Sequence, residues 1–230
     1  MIADNLKSVR ERIERACERA GRDPSQVRIM AVSKSVGVDT VREAIDCGIT
    51  LFGENRVQEA RAKASQGAFH GATLCMIGHL QTNKASAAVR IFDEVHSVDS
   101  ERAAQALSRY AAIYRQSNPV PVYIEVNVAD DPRKHGVSER EALSLVRCVD
   151  RLPLLKLQGL MTVAPGYGDA DMARNAFRGL RVLRERLIDG GVDAECLREL
   201  SMGMSGDFDI AVEEGSTVVR LGTVLFGPRT

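Results

Sequence analysis

Short apolar runs alternate with amphipathic stretches along the whole chain. Eight runs have the length and bounding residues of buried strands: 28–33, 50–53, 74–78, 95–98, 120–128, 157–163, 199–202 and 218–226. Helical spacing of apolar residues marks the stretches between them: 39–47, 54–65, 81–91, 99–114, 138–151, 171–189 and 206–213. A further helix, Ile2–Ala20, precedes the first strand. The pattern therefore predicts eight β–α units with an extra helix at the N-terminus.

Strict alternation of strands and helices predicts a parallel sheet, because parallel neighbours need crossover connections. Eight units in 230 residues are close to the minimum for a closed (β/α)₈ TIM barrel, which is the fold we expect. The rival is an open doubly wound sheet, which usually has fewer strands; no GxGxxG follows the first strand here. No linker or low-complexity tract interrupts the chain, so we predict one domain over residues 1–230.

Charge and cysteine content narrow the class of protein further. Lysine plus arginine equals aspartate plus glutamate at 31 each, which gives no electrostatic reason to expect nucleic acid or a membrane as partner. No apolar run approaches the ~20 residues of a membrane helix, and the charged N-terminal helix is unlike a signal peptide. Five scattered cysteines without a CxxC pair suit free thiols in a reducing compartment. We expect a soluble, cytoplasmic protein.

A lysine ends the first predicted strand, in the run IMAVSK. In a barrel this position directs Lys34 toward the C-terminal mouth, where active sites gather. Partial desolvation there lowers the pKa of an amine, and the neutral amine forms imines with aldehydes. The alternative is an ordinary solvated lysine at the end of a strand.

Small residues near strands seven and eight suggest an anion site. Ser201 to Asp207 open a helix whose first backbone N–H groups lack partners. The eighth run adds Gly222, which permits close backbone approach, and Thr223, which supplies a hydroxyl. The alternatives are loops that only turn the chain, with Ser205 as an N-cap. Strand eight closes against strand one, so the lysine would adjoin a phosphate cradle, a combination that pyridoxal phosphate requires.

Several segments together resemble a known family. They are AVSK at 31–34, LFGENRVQEA at 51–60, IGHLQTNK at 77–84, VHSVDS at 95–100, GLMTVAP at 159–165 and LSMGMSGDFDIAVEEGSTVVRLGTVLFG at 200–227. They resemble the pyridoxal phosphate homeostasis protein family, which is related to the N-terminal barrel of alanine racemase. The resemblance covers nearly the whole chain, and its last motif is highly specific. It implies a single barrel that carries the cofactor on Lys34. It also implies a role in keeping intracellular pyridoxal phosphate at a safe, usable concentration, without an established catalytic reaction.

The same resemblance implies a set of binding residues. Asn55 and His79 would line the cofactor pocket, and Arg220 would face the pyridine nitrogen. Phosphate would be held by Ser201, Ser205, Gly222 and Thr223, and Met161 and Met202 would pack near the ring. The loop 130–136 matches only in its Lys-x-Gly kernel and is assigned no role. From the residues alone, Asn55 and His79 could instead cap helices.

Arg220 bears on the kind of chemistry the site can support. A guanidinium only donates hydrogen bonds, so a pyridine nitrogen facing it stays unprotonated and the ring is a weaker electron sink. This argues against transamination and decarboxylation. The alternative is a buried arginine paired with a barrel carboxylate.

Three functions remain open: a carrier that delivers pyridoxal phosphate to apo-enzymes, a weak amino-acid racemase, and a lysine-imine aldolase. Racemisation needs an acid/base group on each face of the substrate carbon. In alanine racemase a tyrosine of a second domain serves the face opposite the lysine, and we expect no such domain before Thr230. Among the tyrosines, Tyr167 in the loop APGYGD alone could reach the mouth.

His70, His96 and His135 are not at ligand spacing, so we expect no metal site. We also expect a monomer.

Overall fold

The structure, a computed structural model, describes residues 1–165 and 169–228. Tyr167 lies outside the described residues. The strands are β1 (Arg28–Val32), β2 (Leu51–Glu54), β3 (Thr73–Met76), β4 (Glu94–Val98), β5 (Val120–Glu125), β6 (Leu155–Met161), β7 (Glu199–Ser201) and β8 (Val218–Leu221). Each pairs in parallel with the next, and β8 pairs with β1 to close the barrel. The predicted (β/α)₈ TIM barrel is confirmed.

Helices cover the outside of the barrel. They are α1 (Ile2–Ala20), α2 (Val38–Asp46), α3 (Val57–Ala64), α4 (Ala85–Ile91), α5 (Glu101–Tyr114), α6 (Glu139–Asp150), α7 (Ala170–Asp189), α8 (Phe208–Glu213) and α9 (Thr223–Phe226), with 3₁₀ turns at Pro24–Gln26, Thr82–Lys84 and Ala194–Leu197. Within residues 1–165 and 169–228, none of the helices has both the length and the apolar character needed to cross a bilayer.

The predicted N-terminal helix is confirmed as α1. Its buried residues recur every three or four positions, at Leu6, Val9, Ile13 and Ala16, which gives one apolar face. That face packs on α8 and α9, and Asn5 Nδ2 donates to the Leu225 carbonyl at 2.8 Å. The extra helix therefore supports the part of the chain around β8.

The inside of the barrel changes from apolar to polar along its axis. A small cluster of buried residues, Met30, Leu51, Cys75 and Val218, is separate from the main core between strands and helices. Two residues beyond Val218 along β8, Arg220 is buried, as are His96 on β4 and Ser201 on β7. Since alternate strand residues share a face, Val218 and Arg220 both point inward. The C-terminal half of the interior is thus built for polar contacts.

Many predicted boundaries are shifted by a few residues, and two of these differences affect the cavity end of the barrel. The eighth run, 218–226, was predicted as one strand, but β8 ends at Leu221 and residues Thr223–Phe226 form α9. Gly222 between them has φ −111° and ψ −85°, which is not a strand conformation. Glu54, predicted in a helix, is instead the last residue of β2. Apolar periodicity cannot separate strand from helix over such short runs.

Candidate functional site

A cavity of about 350 Å³ opens at the C-terminal end of the barrel. It is lined by Val32, Lys34, Asn55, Ile77, Val163, Met204, Ser205, Arg220, Gly222 and Thr223. Six of the ten residues predicted to bind cofactor are in this lining: Lys34, Asn55, Ser205, Arg220, Gly222 and Thr223. The sequence reasoning missed the apolar wall of Val32, Ile77, Val163 and Met204. Their only signal was their place at the end of an apolar strand or shortly after it.

The other four predicted residues do not line the cavity. Met161 and Met202 are buried, and Ser201 is buried beneath Arg220. His79 lies at the rim, where its Nδ1 is 2.7 Å from Asp99 Oδ2. Direct contact of these four with a cofactor remains a prediction.

Lys34 follows β1 in a turn held by Lys63 of α3. The Lys63 ammonium donates to the Ser33 carbonyl at 2.6 Å and to the Glu54 and Glu59 carboxylates at 2.7 and 2.8 Å. Because Lys63 reaches the residue just before Lys34, it fixes the end of β1. The sequence reasoning missed this role, although Glu59 and Lys63 stand four apart on one helix face, a spacing that predicts an ion pair.

The residue after Lys34 is fixed as well. The Ser35 backbone N–H donates to Glu59 Oε1 at 2.6 Å, and Ser35 has φ 62°, an uncommon conformation for a residue other than glycine. On the other side, the Ser33 hydroxyl donates to Glu54 Oε1 at 2.7 Å. Both neighbours of Lys34 are therefore anchored, which limits the directions in which its side chain can enter the cavity.

Asn55 brings an unsatisfied polar atom to the cavity. Its Oδ1 is buried and has no hydrogen-bond partner among the described residues. Its backbone contacts Gly78, where an added Cβ would lie only 2.3 Å from the Asn55 carbonyl oxygen, so the close approach of the two loops requires glycine. A buried acceptor without a partner is costly, and a ligand donor in the cavity would satisfy it.

Arg220 forms the polar floor of the cavity. Its Nη1 donates to the Ser201 carbonyl at 2.6 Å and to Ser201 Oγ at 3.0 Å, and its Nη2 donates to the Thr162 carbonyl at 2.7 Å. Burial lowers the pKa of Arg220 to about 10, against the raising effect of Glu125 and Asp207, so the guanidinium stays charged at neutral pH. None of the described carboxylates forms an ion pair with it, which is the alternative that the sequence left open.

The predicted anion loop is held against β8. Ser205 Oγ accepts weakly from the backbone N–H groups of Gly222 and Val224, at 3.2 and 3.4 Å. Ser205 is therefore not the N-cap of α8, which is Asp207. Gly203 has φ 94° and would clash with Ala211 if it carried a Cβ, so the turn needs glycine. Hydroxyl and amide groups of Ser205 and Gly222 thus come together at the cavity.

Two histidines meet at the rim, which the spacing argument did not predict. The rings of His79 and His135 stack with centroids 3.9 Å apart and planes 9° from parallel, and donor atoms of His79, His135 and Asp99 lie within 4.8 Å of one another. An imidazole nitrogen coordinates in its ring plane, and two planes this nearly parallel share no point within bonding distance of both rings. This arrangement of side chains does not present a shared metal position.

Glu125, at the end of β5, is a buried carboxyl that the sequence reasoning did not consider. It is 8% exposed, and its Oε2 has no hydrogen-bond partner among the described residues. Burial, with a contribution from Asp99, raises the pKa of Glu125 to about 7, although Arg220 opposes the rise. The folded protein therefore binds a proton here that the unfolded chain has released.

We predict that Glu125→Gln removes a loss of stability at alkaline pH. Between pH 4.5 and about 7 the folded state binds more protons at Glu125, so the free energy of unfolding falls as pH rises through this window. The glutamine variant should escape a penalty on the order of 3 kcal/mol above pH 7. Urea unfolding at pH 5 and pH 8.5 measures how the free energy of unfolding changes between the two pH values. The exposed Glu18→Gln is the matched control. A Glu125→Gln variant with the wild-type difference between the two pH values would contradict the assignment.

Comparison with known proteins agrees with this architecture. The family model of the alanine racemase N-terminal domain matches residues 5–230. A pyridoxal phosphate homeostasis protein of Aquifex aeolicus is 39% identical over 226 residues, which is 98% of this chain and 97% of the relative. Another, from Pseudomonas aeruginosa, is 40% identical over 230 residues, with 99% and 96% covered.

Solved structures give the same picture. PipY of Synechococcus elongatus PCC7942, with PLP bound, superposes with a TM-score of 0.85 at 35% identity, covering 99% of this chain and 100% of PipY. Alanine racemase of Clostridium difficile, at 16% identity and TM-score 0.73, covers 98% of this chain and 56% of its own and shares the fold. Barrel and cavity together define a protein of the alanine racemase N-terminal class. Within that class, the chain belongs to the pyridoxal phosphate homeostasis protein family.

Proposed function

We propose that this chain holds pyridoxal 5′-phosphate as a Schiff base on Lys34 and delivers it to apo-enzymes, as part of intracellular cofactor homeostasis. The observation that carries the proposal is the cavity itself, in which Lys34, Arg220 and the loops of Ser205 and Gly222 meet. The names of the relatives and the PLP bound to PipY support it. We retain a cytoplasmic monomer as part of the proposal, and gel filtration tests the oligomeric state.

The residues present fit this cofactor. The unsatisfied Asn55 Oδ1 is an acceptor suited to the ring hydroxyl, and Arg220 offers N–H donors to the pyridine nitrogen. Ser205, Gly222 and Thr223 supply hydroxyl and amide donors for phosphate. A cavity of about 350 Å³ is within the range of small-molecule sites. We assign binding to these residues and Lys34. Ser201 contacts Arg220 from beneath, and contact of the cofactor with Ser201, Met161, Met202 and His79 stays part of the proposal.

Lys34 carries the covalent step. Its amine would join the aldehyde carbon of the cofactor with loss of one water, and attack by another amine, or by water, would release the cofactor and restore the lysine. When bound, pyridoxal phosphate supplies the aldehyde and an electron-accepting ring. Arg220 would keep a ring nitrogen that faces it unprotonated, because a guanidinium has no proton to give up at neutral pH. The site therefore favours exchange over carbanion chemistry.

The racemase alternative has no tyrosine among the described residues that line the cavity. Tyr110 and Tyr114 lie on α5, away from the cavity lining. Tyr123 is buried in β5, and its hydroxyl accepts from Arg28 at 3.0 Å, toward the opposite end of the barrel. Tyr167 lies outside the described residues. No described tyrosine supports a reaction that protonates both faces of a substrate carbon.

We predict that the pure protein delivers cofactor but racemises common amino acids negligibly. A missing acid/base partner typically costs ~10²–10⁴-fold in rate. Chiral analysis after long incubation with alanine and serine measures racemisation, and reactivation of an apo-aminotransferase by the loaded protein measures delivery. Lys34→Ala is the control for both. Robust racemisation that disappears in Lys34→Ala and Tyr167→Phe would overturn the carrier proposal in favour of the enzyme.

A further inference from the structure

A buried histidine lies beneath the cavity, and no step above uses it. His96 on β4 has no exposed surface, yet both of its ring nitrogens have partners. Nδ1 is 3.1 Å from Ser201 Oγ, and Nε2 is 2.9 Å from Glu94 Oε2. The ring stacks on Tyr123 with centroids 3.7 Å apart. The side chain is therefore fixed by packing and by two hydrogen bonds at once.

The partners determine where the hydrogens lie. Arg220 Nη1 donates to Ser201 Oγ at 3.0 Å, so the serine's own hydrogen is available for His96 Nδ1. Burial lowers the pKa of His96, which keeps the ring neutral with one N–H. Placing that hydrogen on Nε2 lets it donate to the Glu94 carboxylate. The other tautomer would set a nitrogen lone pair against a carboxylate oxygen, which is unfavourable.

Hydrogen bonds thus link Ser201 to His96 and His96 to Glu94, and the last of these groups is charged. Although burial acts to raise it, the pKa of Glu94 is held below its usual value by His96 and Arg28, so Glu94 is a carboxylate at neutral pH. Cys75 also lies beside Glu94, but burial raises the pKa of its thiol well above the usual value. With both histidine nitrogens engaged, Cys75, Glu94 and His96 form one hydrogen-bonded group in this structure.

We infer that His96 is a positioning residue for Arg220, acting through Ser201 in a hydrogen-bond chain that runs from Glu94 to the cavity floor. The inference rests on the proposed function. Because Arg220 has no carboxylate partner among the described residues, its orientation depends on Ser201 and the Thr162 carbonyl. Because the Ser201 hydroxyl donates its hydrogen to His96 in this arrangement, Ser201 Oγ acts only as an acceptor toward Arg220. The remaining guanidinium N–H groups can then point at a pyridine nitrogen in the cavity.

A double-mutant cycle tests this inference. The variants are His96→Phe, which keeps the stacked ring but removes both nitrogens, Ser201→Ala, and the double variant. Tyr123→Phe is the matched control, because it keeps the ring that stacks on His96 and removes a hydroxyl outside the chain. The readouts are the dissociation constant of pyridoxal phosphate and the pH midpoint of the absorbance of its Schiff base. Circular dichroism checks folding.

Each single variant should weaken binding about 5–10-fold, the usual effect of one hydrogen bond, and both should shift the pH midpoint in the same direction. The double variant should be no weaker than the worse single one, since residues in one chain are not additive. Tyr123→Phe should match the wild type.

The inference would be overturned if both single variants kept the wild-type affinity and pH midpoint. It would also be overturned if the loss of affinity in the double variant equalled the product of the two single losses. Multiplied effects would mean that Ser201 contacts the phosphate directly, independently of His96. If His96→Phe fails to fold, Glu94→Gln, which removes the charged partner of His96 Nε2, takes its place in the cycle with the same expected outcomes. A wild-type protein that binds no pyridoxal phosphate would refute the proposed function together with the inference. If the wild type binds it and the variants keep the same affinity and pH midpoint, only the inference is refuted.

Discussion

Lys34→Ala should abolish the visible absorbance band of protein-bound pyridoxal phosphate. The alanine variant has no amine at the end of β1, so no Schiff base can form there, and only non-covalent contacts remain. We expect affinity to fall on the order of 100-fold, which corresponds to about 2.7 kcal/mol. Absorbance titration measures both effects.

Two variants control for other effects of the change. Lys34→Arg keeps a positive charge but cannot form the imine, so it separates the covalent contribution from the electrostatic one and should also lack the band. Lys84→Ala removes a lysine next to α4, outside the cavity lining, and should leave the band unchanged. A Lys34→Ala protein that retains the wild-type band would show that another amine carries the cofactor.

Gly222→Val should cost more cofactor affinity than Ser205→Ala. Gly222 lines the cavity, so a branched side chain there should take up the space in which a phosphate oxygen would approach the backbone. We expect a loss on the order of 100-fold. Ser205→Ala removes one hydroxyl and should cost about 10-fold, as for one hydrogen bond to a charged group.

Dissociation constants of pyridoxal phosphate for the two variants decide the order. Gly206→Ala is the matched control, because nothing lies within 4 Å of a Cβ built at Gly206 and no strain is expected there. Thermal unfolding establishes that each variant is folded. If Gly222→Val and Ser205→Ala both bind with affinity near the wild type, the phosphate does not lie at this loop.

The sequence was enough to predict the fold because its signals repeat. Alternating strands and helices predict a parallel sheet, and eight of them in 230 residues predict closure. Closure then places Lys34 beside Gly222, since β1 pairs with β8. Residues 218–226 contain both β8 and α9, and apolar periodicity did not separate the two elements. The boundary between them lies at Gly222.

Contacts between side chains distant in sequence were beyond the reach of pattern reading. Lys63 looks like an ordinary helix lysine until α3 packs against β2 and brings it to Ser33. His96 lies in an apolar run, and only barrel closure brings it next to Ser201, 105 residues later. The family resemblance implied that Ser201 holds the phosphate. In the structure its hydroxyl lies against Arg220 and His96, a pair of contacts that the motif does not indicate.

The central claim is that Lys34 is the amine that carries the cofactor. Borohydride reduction of the loaded protein converts a Schiff base to a stable secondary amine, and peptide mass mapping then locates it. We predict the reduced pyridoxyl group on the peptide that contains Lys34, in stoichiometric yield. A modification found on Lys84 or Lys134, with Lys34 unmodified, would contradict the claim.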